Sequence, residues 1–495
     1  MEAQRPPWRA DREALAALAL LAVVCIGCML ANRELPLVRN GIVYARAAEH
    51  VIEQHYDGLA VVAEPRLSYD KPIGFAWLAA PLVARFGTNA GLEIVSCAGV
   101  LAYLAALFAF ARAFDPFGLS GRERAALIVL AGFVPIVAYQ SWSAHPDSLY
   151  AALYLTAFTQ AHRLVERPGY GRVAAIAACL FASLMLKNYG AILIPSVGLY
   201  VLWNQRRLRA APRGLGVGIA LGGVLVAFAV LFRMGMTGHN PLMHIEGEGG
   251  GAGQYGTGVW WQSCLGTLAQ VATALVVNLH VALVPLGFAR RWPWAAIVSF
   301  PVLYVAGLML FPTSFYNMRY FIPLLPFAAL LALAGWRRLR APAQRIAAGG
   351  FLALAGALVL LYDCAPLYAR VGSAIPKLEL QFTWPPVPLS LLDNLRMPAH
   401  LAQKAWIDNL NAHVPDGATV YMLDVNYYGD AQRGVFERAG SIRAGIRTQY
   451  ASSREFAPQE LPCYVYDIRS GGQSLARLGK VDDLGFGLYH LERAQ

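Results

Sequence analysis

Acidic side chains are almost missing from the long apolar stretches of this sequence, and charge of either sign is scarce throughout. Only 14% of the 495 residues are Asp, Glu, Lys or Arg, while 57% are hydrophobic. A water-soluble chain of this length needs more surface charge than that. Seven cysteines are present, mostly inside apolar runs, where a thiol behaves as a small hydrophobe. Their spacing fits neither a zinc site nor a disulfide framework, and Cys25 and Cys28 form a C-x-x-C in mid-helix. The region after Asp363 holds no nucleotide fingerprint, and no internal repeat is present in the chain. The apolar runs also lack the ladder of polar residues that a transporter or lipid flippase places at the bilayer midplane; Asn278 and His280 are the deeper exceptions, and neighbouring helices can satisfy them. The net charge of +11 sits in short arginine clusters between apolar runs, which makes it an orientation signal and excludes a nucleic-acid groove.

What the chain has in abundance is apolar segments long enough to cross roughly 30 Å of hydrocarbon. About eleven are predicted, near 13–31, 91–113, 125–140, 146–162, 172–187, 190–204, 215–232, 263–288, 294–311, 318–336 and 345–363. The first follows Arg5, Arg9 and Arg12 but has no convincing small-residue cleavage site, so it reads as a retained helix. Alternate connections carry the positive charge, for example Arg206, Arg207, Arg209 and Arg213, then Arg337, Arg338, Arg340 and Arg345. The positive-inside rule therefore places the N-terminus in the cytoplasm, and an odd number of spans places the C-terminal region outside. Two longer loops, 32–90 and 233–262, also fall outside.

Within loop 32–90, Arg39 to Gln54 has helical periodicity, and Pro72 to Phe86 is predicted as a helix lying in the interface. Loop 233–262 is glycine-rich and ends in Trp260 and Trp261, which suit the membrane boundary. The chain divides into a membrane part, residues 1–364, and an extracytoplasmic α/β domain, residues 365–495. The latter is predicted to hold a Pro-rich linker through Trp384–Pro388, a helix near 390–413, and strands at 418–425, 462–469 and 486–492.

Burying an ionisable side chain in hydrocarbon costs roughly 2.5–3.5 kcal/mol, so where such groups gather is informative. They gather at the outer ends of the spans. Arg39-Asn40-Gly41 with Tyr44 heads the first outer loop, and Tyr69-Asp70-Lys71-Pro72 precedes the interfacial stretch. His145-Pro146-Asp147 fills the second outer connection, Lys187 with Tyr189 lies on the same side, and Arg319-Tyr320 opens the tenth span. Each has a plainer reading. Asp70 and Lys71 could be a solvated ion pair, Asp147 could cap a helix, and Lys187 and Arg319 could anchor in the interface. His239, His244 and Glu246 have ligand chemistry for a divalent metal in a flexible glycine-rich setting.

The order Arg-Asn-Gly-x-x-Tyr-Ala, Tyr-Asp-Lys-Pro, Pro-Asp-x-Leu, Lys-x-x-Gly and Arg-Tyr-x-x-Pro-x-x-Pro resembles the GT-C glycosyltransferases. Within them it is most similar to the aminoarabinose-transferase and protein-mannosyltransferase branch, over roughly residues 10–340. The resemblance implies an all-α polytopic fold with a catalytic first outer loop and a polyprenyl-phosphate sugar donor. It also implies inverting transfer to a glycan, lipid or protein acceptor. Asn40 falls where the family has its catalytic aspartate and Gly41 where a glutamate commonly follows; an amide cannot serve as a general base. By resemblance Asp70 matches an acidic position, Lys71 and Lys187 match basic ones, and Arg319 suits the leaving phosphate. The catalytic candidates are then Asp70, Asn40 and Asp147. The phosphate-binding candidates are Lys71, Lys187 and Arg319. The tyrosines Tyr44, Tyr69, Tyr189 and Tyr320 with His145 are candidates for substrate contact. Two alternatives stand beside this reading: a degenerate GT-C protein that binds a lipid-linked glycan without turnover, and a transporter or flippase.

Overall fold

The computed structural model describes the chain except residues 1–10, 38–39, 57–72, 237–259, 290–291, 311–317, 372–378, 384–385, 391–396, 424–444, 452–455, 457–460, 467–474, 486–487 and 493–495. Helical segments occupy the predicted spans, and further short helices lie in the connections between them. They are α1 (Arg12–Asn32), α2 (Asn40–Glu53), α3 (Gly74–Phe86), α4 (Thr88–Ala113), α5 (Gly121–Gly132), α6 (Pro135–Gln140), α7 (Asp147–Glu166), α8 (Tyr170–Leu186), α9 (Leu193–Trp203), α10 (Gln205–Ala210), α11 (Gly214–Met236), α12 (Trp260–Leu279), α13 (Leu303–Leu310), α14 (Leu325–Trp336) and α15 (Ala341–Tyr362). Six of the described helical segments are long and apolar enough to cross a bilayer, and four shorter apolar ones accompany them. The chain is a multi-pass membrane protein. The predicted helix in 39–54 and the predicted interfacial helix are α2 and α3.

Polar side chains tie the helix ends together at both faces of the bundle. At one end the buried carboxylate of Asp11 meets Arg124 at 2.9 Å and Arg112 at 3.1 Å. Nearby, Ser120 and Glu123 close a reciprocal capping box on α5. Arg337, just past α14, donates to both Glu123 oxygens, at 2.6 and 2.8 Å, and to the carbonyls of Phe117 and Gly118. The Arg337 hydrogen bonds and charge hold the Glu123 carboxyl down to about 2. At the opposite end Asn32 closes α1 against α15. Its amide donates to the carbonyls of Cys28 and Asp363, and its oxygen accepts from the Ala365 amide at 2.9 Å.

Beyond α15 follow α16 (Ala365–Val371), a hairpin of β1 (Glu379–Thr383) and β2 (Pro386–Ser390), and α17 (Met397–His413). A five-stranded sheet then runs β4-β3-β5-β7-β6 from β3 (Thr419–Leu423), β4 (Arg447–Ala451), β5 (Cys463–Tyr466), β6 (Lys480–Asp483) and β7 (Leu488–Glu492). Strand β3 is parallel to β4 and β5, and β7 is antiparallel to β5 and β6. The Pro-rich segment predicted as a linker holds β2, with Pro386 and Pro388 on a two-stranded ribbon whose edges tolerate a missing N–H. The predicted helix and three predicted strands are α17, β3, β5 and β7. Trp406, Ile407 and Leu410 of α17 pack in one apolar cluster with Ile42, Tyr44 and Ala45 of α2 and Phe75 of α3. The C-terminal α/β part thus rests on the short helices that cap the membrane bundle.

Candidate functional site

Four interruptions of helical backbone converge at the end of the bundle bearing Asn32. Pro135 has no N–H and pushes Val134 into extended backbone, so the apolar run 125–140 splits into α5 and α6. Between α6 and α7, residues 141–146 form a buried loop in which Ala144 has φ +55°, the left-handed region that a non-glycine residue enters only when its surroundings hold it. Helix α8 stops at Lys187, whose backbone is extended, and a 3₁₀ turn over Asn188–Ile192 leads into α9. A second 3₁₀ segment, Met318–Leu324, contains Pro323 and precedes α14. Irregular backbone at such depth persists only where protein buries it. Here each break brings a polar side chain into one place.

Asp147 is the hub. It is 1% exposed. Lys187 Nζ lies 3.2 Å from its Oδ1 and Arg319 Nε 3.3 Å from its Oδ2, while Tyr189 donates its hydroxyl to Oδ1 at 3.0 Å. Arg319 Nη1 is 2.7 Å from His145 Nε2. A guanidinium only donates, so Nε2 accepts, and His145 is the neutral tautomer with its proton on Nδ1. The backbone N–H of His145 is in turn held by Ser96 of α4, at 3.3 Å. The rings of Tyr320, Tyr189 and Tyr44 surround the Lys187 ammonium at 5.2, 5.7 and 6.0 Å, within cation–π range. Arg319 lies over Tyr320 at 5.4 Å. Tyr304 of α13, which has no motif around it, donates to the Tyr320 carbonyl at 2.7 Å.

Of the residues the sequence singled out, Tyr44, His145, Asp147, Lys187, Tyr189, Arg319 and Tyr320 are therefore neighbours. Asn40 opens α2, and the next residue, Gly41, packs against the loop at Ser143 and Ala144, so the start of α2 abuts the same place. Tyr69, Asp70 and Lys71, and the trio His239, His244 and Glu246, lie outside the described residues. Asp482, His490 and Glu492 have metal-ligand spacing on the C-terminal sheet, but Lys480 Nζ lies between them, 3.2 Å from Asp482 and 3.4 Å from Glu492. An ammonium in that position makes it an ordinary cross-strand ion pair. Tyr139, Tyr304 and His400 border the site without any sequence signal of their own: an isolated Tyr or His in an apolar or amphipathic helix looks like a core residue until its neighbours are known.

No protein-family model matches the sequence, and no curated protein matches it. Solved structures do. ArnT from Cupriavidus metallidurans bound to undecaprenyl phosphate superposes with a TM-score of 0.61, covering 97% of this chain and 98% of that one at 11% identity. Its apo state gives 0.58, with 97% of each chain covered at 13% identity. The oligosaccharyltransferase of Archaeoglobus fulgidus, in complex with zinc and sulfate, gives 0.44, covering 87% of this chain and 62% of its own at 12% identity. The fold is that of the GT-C glycosyltransferases. The motif resemblance stops near residue 340, whereas the superposition on ArnT spans nearly the whole chain. The C-terminal α/β part is therefore included in the fold likeness to ArnT.

Proposed function

We propose that this chain is a membrane glycosyltransferase that takes a sugar from a polyprenyl-phosphate donor and passes it to an envelope glycan, lipid or protein on the extracytoplasmic side. One observation carries the reading: two buried cations, Lys187 and Arg319, share a single carboxylate. His145 is neutral by its hydrogen bonding, so among the described residues the cluster Lys187, Arg319 and Asp147 retains one positive charge. Unpaired buried charge costs several kcal/mol, and an anionic ligand removes that cost. A phosphate monoester supplies the charge together with several acceptor oxygens for a guanidinium fork and an ammonium. The ligand that the ArnT structure names, undecaprenyl phosphate, has this chemistry.

In the proposed reaction an acceptor hydroxyl attacks the anomeric carbon with inversion. The bond to the phosphate oxygen breaks, and polyprenyl phosphate leaves with a further negative charge on that oxygen. Lys187 and Arg319 stabilise that charge as it develops, the part of catalysis that fixed cations do best. The acceptor proton needs a base. Both oxygens of Asp147 are already committed to cations, which favours a role in holding them in place. Asp70 remains the proposed base, with Asn40 orienting the hydroxyl. The Asn at position 40 also supports a second reading, a protein that binds the lipid-linked glycan without turning it over. Transfer or hydrolysis of radiolabelled polyprenyl-phosphate sugars separates the two. Turnover that Arg319→Ala and Asp70→Asn each abolish supports the transferase; donor binding without turnover supports the binding protein. A wild type that does neither refutes both.

A further inference from the structure

Helix α17 belongs to the C-terminal α/β part, yet one of its side chains is buried beside the membrane site. His400 is 1% exposed. Its Nδ1 lies 2.8 Å from the Pro36 carbonyl, in the connection that follows α1, and its Nε2 lies 3.3 Å from the Tyr139 hydroxyl at the end of α6. A carbonyl only accepts, so Nδ1 carries the proton, and Nε2 shares a hydrogen bond with the Tyr139 hydroxyl. The same ring packs edge-on against Trp142, with centroids 4.7 Å apart, and Trp142 packs edge-on against Tyr139 at 4.9 Å. His400 therefore grips both residues at the start of the 141–146 loop.

That loop matters because of what it carries. It contains Ala144 in left-handed backbone, carries His145 and leads directly into Asp147, the two residues that meet Arg319. Tyr139 itself is 6.4 Å from the His145 ring, centroid to centroid. A strained buried loop keeps its shape only when neighbouring groups over-determine it, and one of those groups here comes from outside the bundle.

We propose that His400 is a positioning residue for the phosphate-binding cations: through Tyr139 and Trp142 it fixes the 141–146 loop, and through His145 it fixes Arg319, so that the C-terminal α/β part completes the membrane site. The proposal rests on the phosphate reading of that site. Functional side chains held by a second layer of contacts lose affinity when that layer is cut, even though it touches no ligand. The C-terminal part is then more than a cap on the outer helices; it contributes to the geometry that meets the donor.

The test uses the full chain in detergent and undecaprenyl phosphate as the probe. Affinity is measured for wild type, His400→Ala, Arg319→Ala and the double variant, with thermal stability measured in parallel. His400→Ala should weaken binding about fivefold, a coupling of ordinary size between residues in one network. In the Arg319→Ala background it should cause no further loss. Tyr139→Phe, which keeps the ring and removes only the hydroxyl, should lower affinity in the same direction and serves as the probe should His400→Ala fail to fold. Unchanged affinity in both single variants overturns the proposal. So does an equal fractional loss with and without Arg319, the mark of a merely structural role. If wild type binds no undecaprenyl phosphate, the phosphate reading fails, and this inference fails with it; that outcome is told apart from the others by the wild-type protein alone.

Discussion

Asp147 sits between an ammonium and a guanidinium, and each of the three would be costly to bury alone. Removing the carboxylate while leaving both cations should therefore be harsher than removing one cation. Asp147→Asn is expected to cost about 3–5 kcal/mol of stability, the usual penalty for breaking a buried pair from one side. Thermal unfolding in detergent reads this directly, and a variant as stable as wild type would mean that water or lipid already screens the cluster. Arg319→Ala removes a charge-assisted donor worth roughly 1.5–3 kcal/mol to a bound anion. Undecaprenyl-phosphate binding should weaken about tenfold or more. Equal affinity would make Arg319 only a partner for Asp147 and His145. At this scale the sequence was informative where polar residues came in short runs at span ends: His145-Pro146-Asp147, Lys187 with Tyr189, and Arg319-Tyr320 were all legible. Tyr304 and His400 were not, because their significance lies in contacts across the fold, such as His400 with Tyr139, 261 positions apart.

The helices themselves follow from long apolar runs, and three of the four breaks follow from Pro135, Pro146 and Pro323. The break at Lys187 has no proline beside it, yet the predicted spans 172–187 and 190–204 already part there. Glycine makes it possible: a Cβ on Gly190 would stand 2.5 Å from the Ser183 carbonyl oxygen, so the turn after α8 can fold back on α8 only without a side chain there. Gly190→Ala should cost about 1–3 kcal/mol, in the range for overpacking, and should also weaken phosphate-lipid binding because Lys187 moves with the turn. Normal stability and affinity in that variant would show that the turn can adjust. At the opposite end, the clamp of Arg337 on Glu123 gives a pH signature. Glu123 ordinarily titrates near 4.5 and is held at about 2 in the fold, so below 4.5 the unfolded chain takes up the proton first. The clamp's contribution to stability is complete above pH 4.5 and is lost as pH falls toward 2. The stability gap between wild type and Glu123→Gln should be level from pH 8 to about 5.5 and shrink below 4.5. A gap that persists unchanged at pH 3 would contradict the assignment.

For the whole molecule, the two ends of the bundle differ in kind. Asp11, Arg112, Arg124 and Arg337 meet at one end; the buried cluster and the C-terminal α/β part lie at the other. The arginine clusters alternate along the chain, and from the positive-inside rule we propose that their end is the cytoplasmic one. In a cysteine-replaced background, Lys404→Cys should react with an impermeant maleimide from outside the membrane and Arg207→Cys should not; the reverse would invert the molecule. The sequence showed this two-sided plan because charge asymmetry survives in one dimension. It missed β1, β4 and β6, short strands whose pairing partners are distant or proline-bearing. The central claim, that the buried excess of positive charge receives a lipid-linked phosphate, has a direct measurement. Purified wild type and the Lys187→Ala, Arg319→Ala double variant are titrated with undecaprenyl phosphate and with undecaprenol, which has the same tail and no charge. The account predicts tight binding of the phosphate by wild type, at least tenfold weaker binding by the variant, and no difference between the two proteins for the alcohol. Equal binding of alcohol and phosphate by wild type would contradict it.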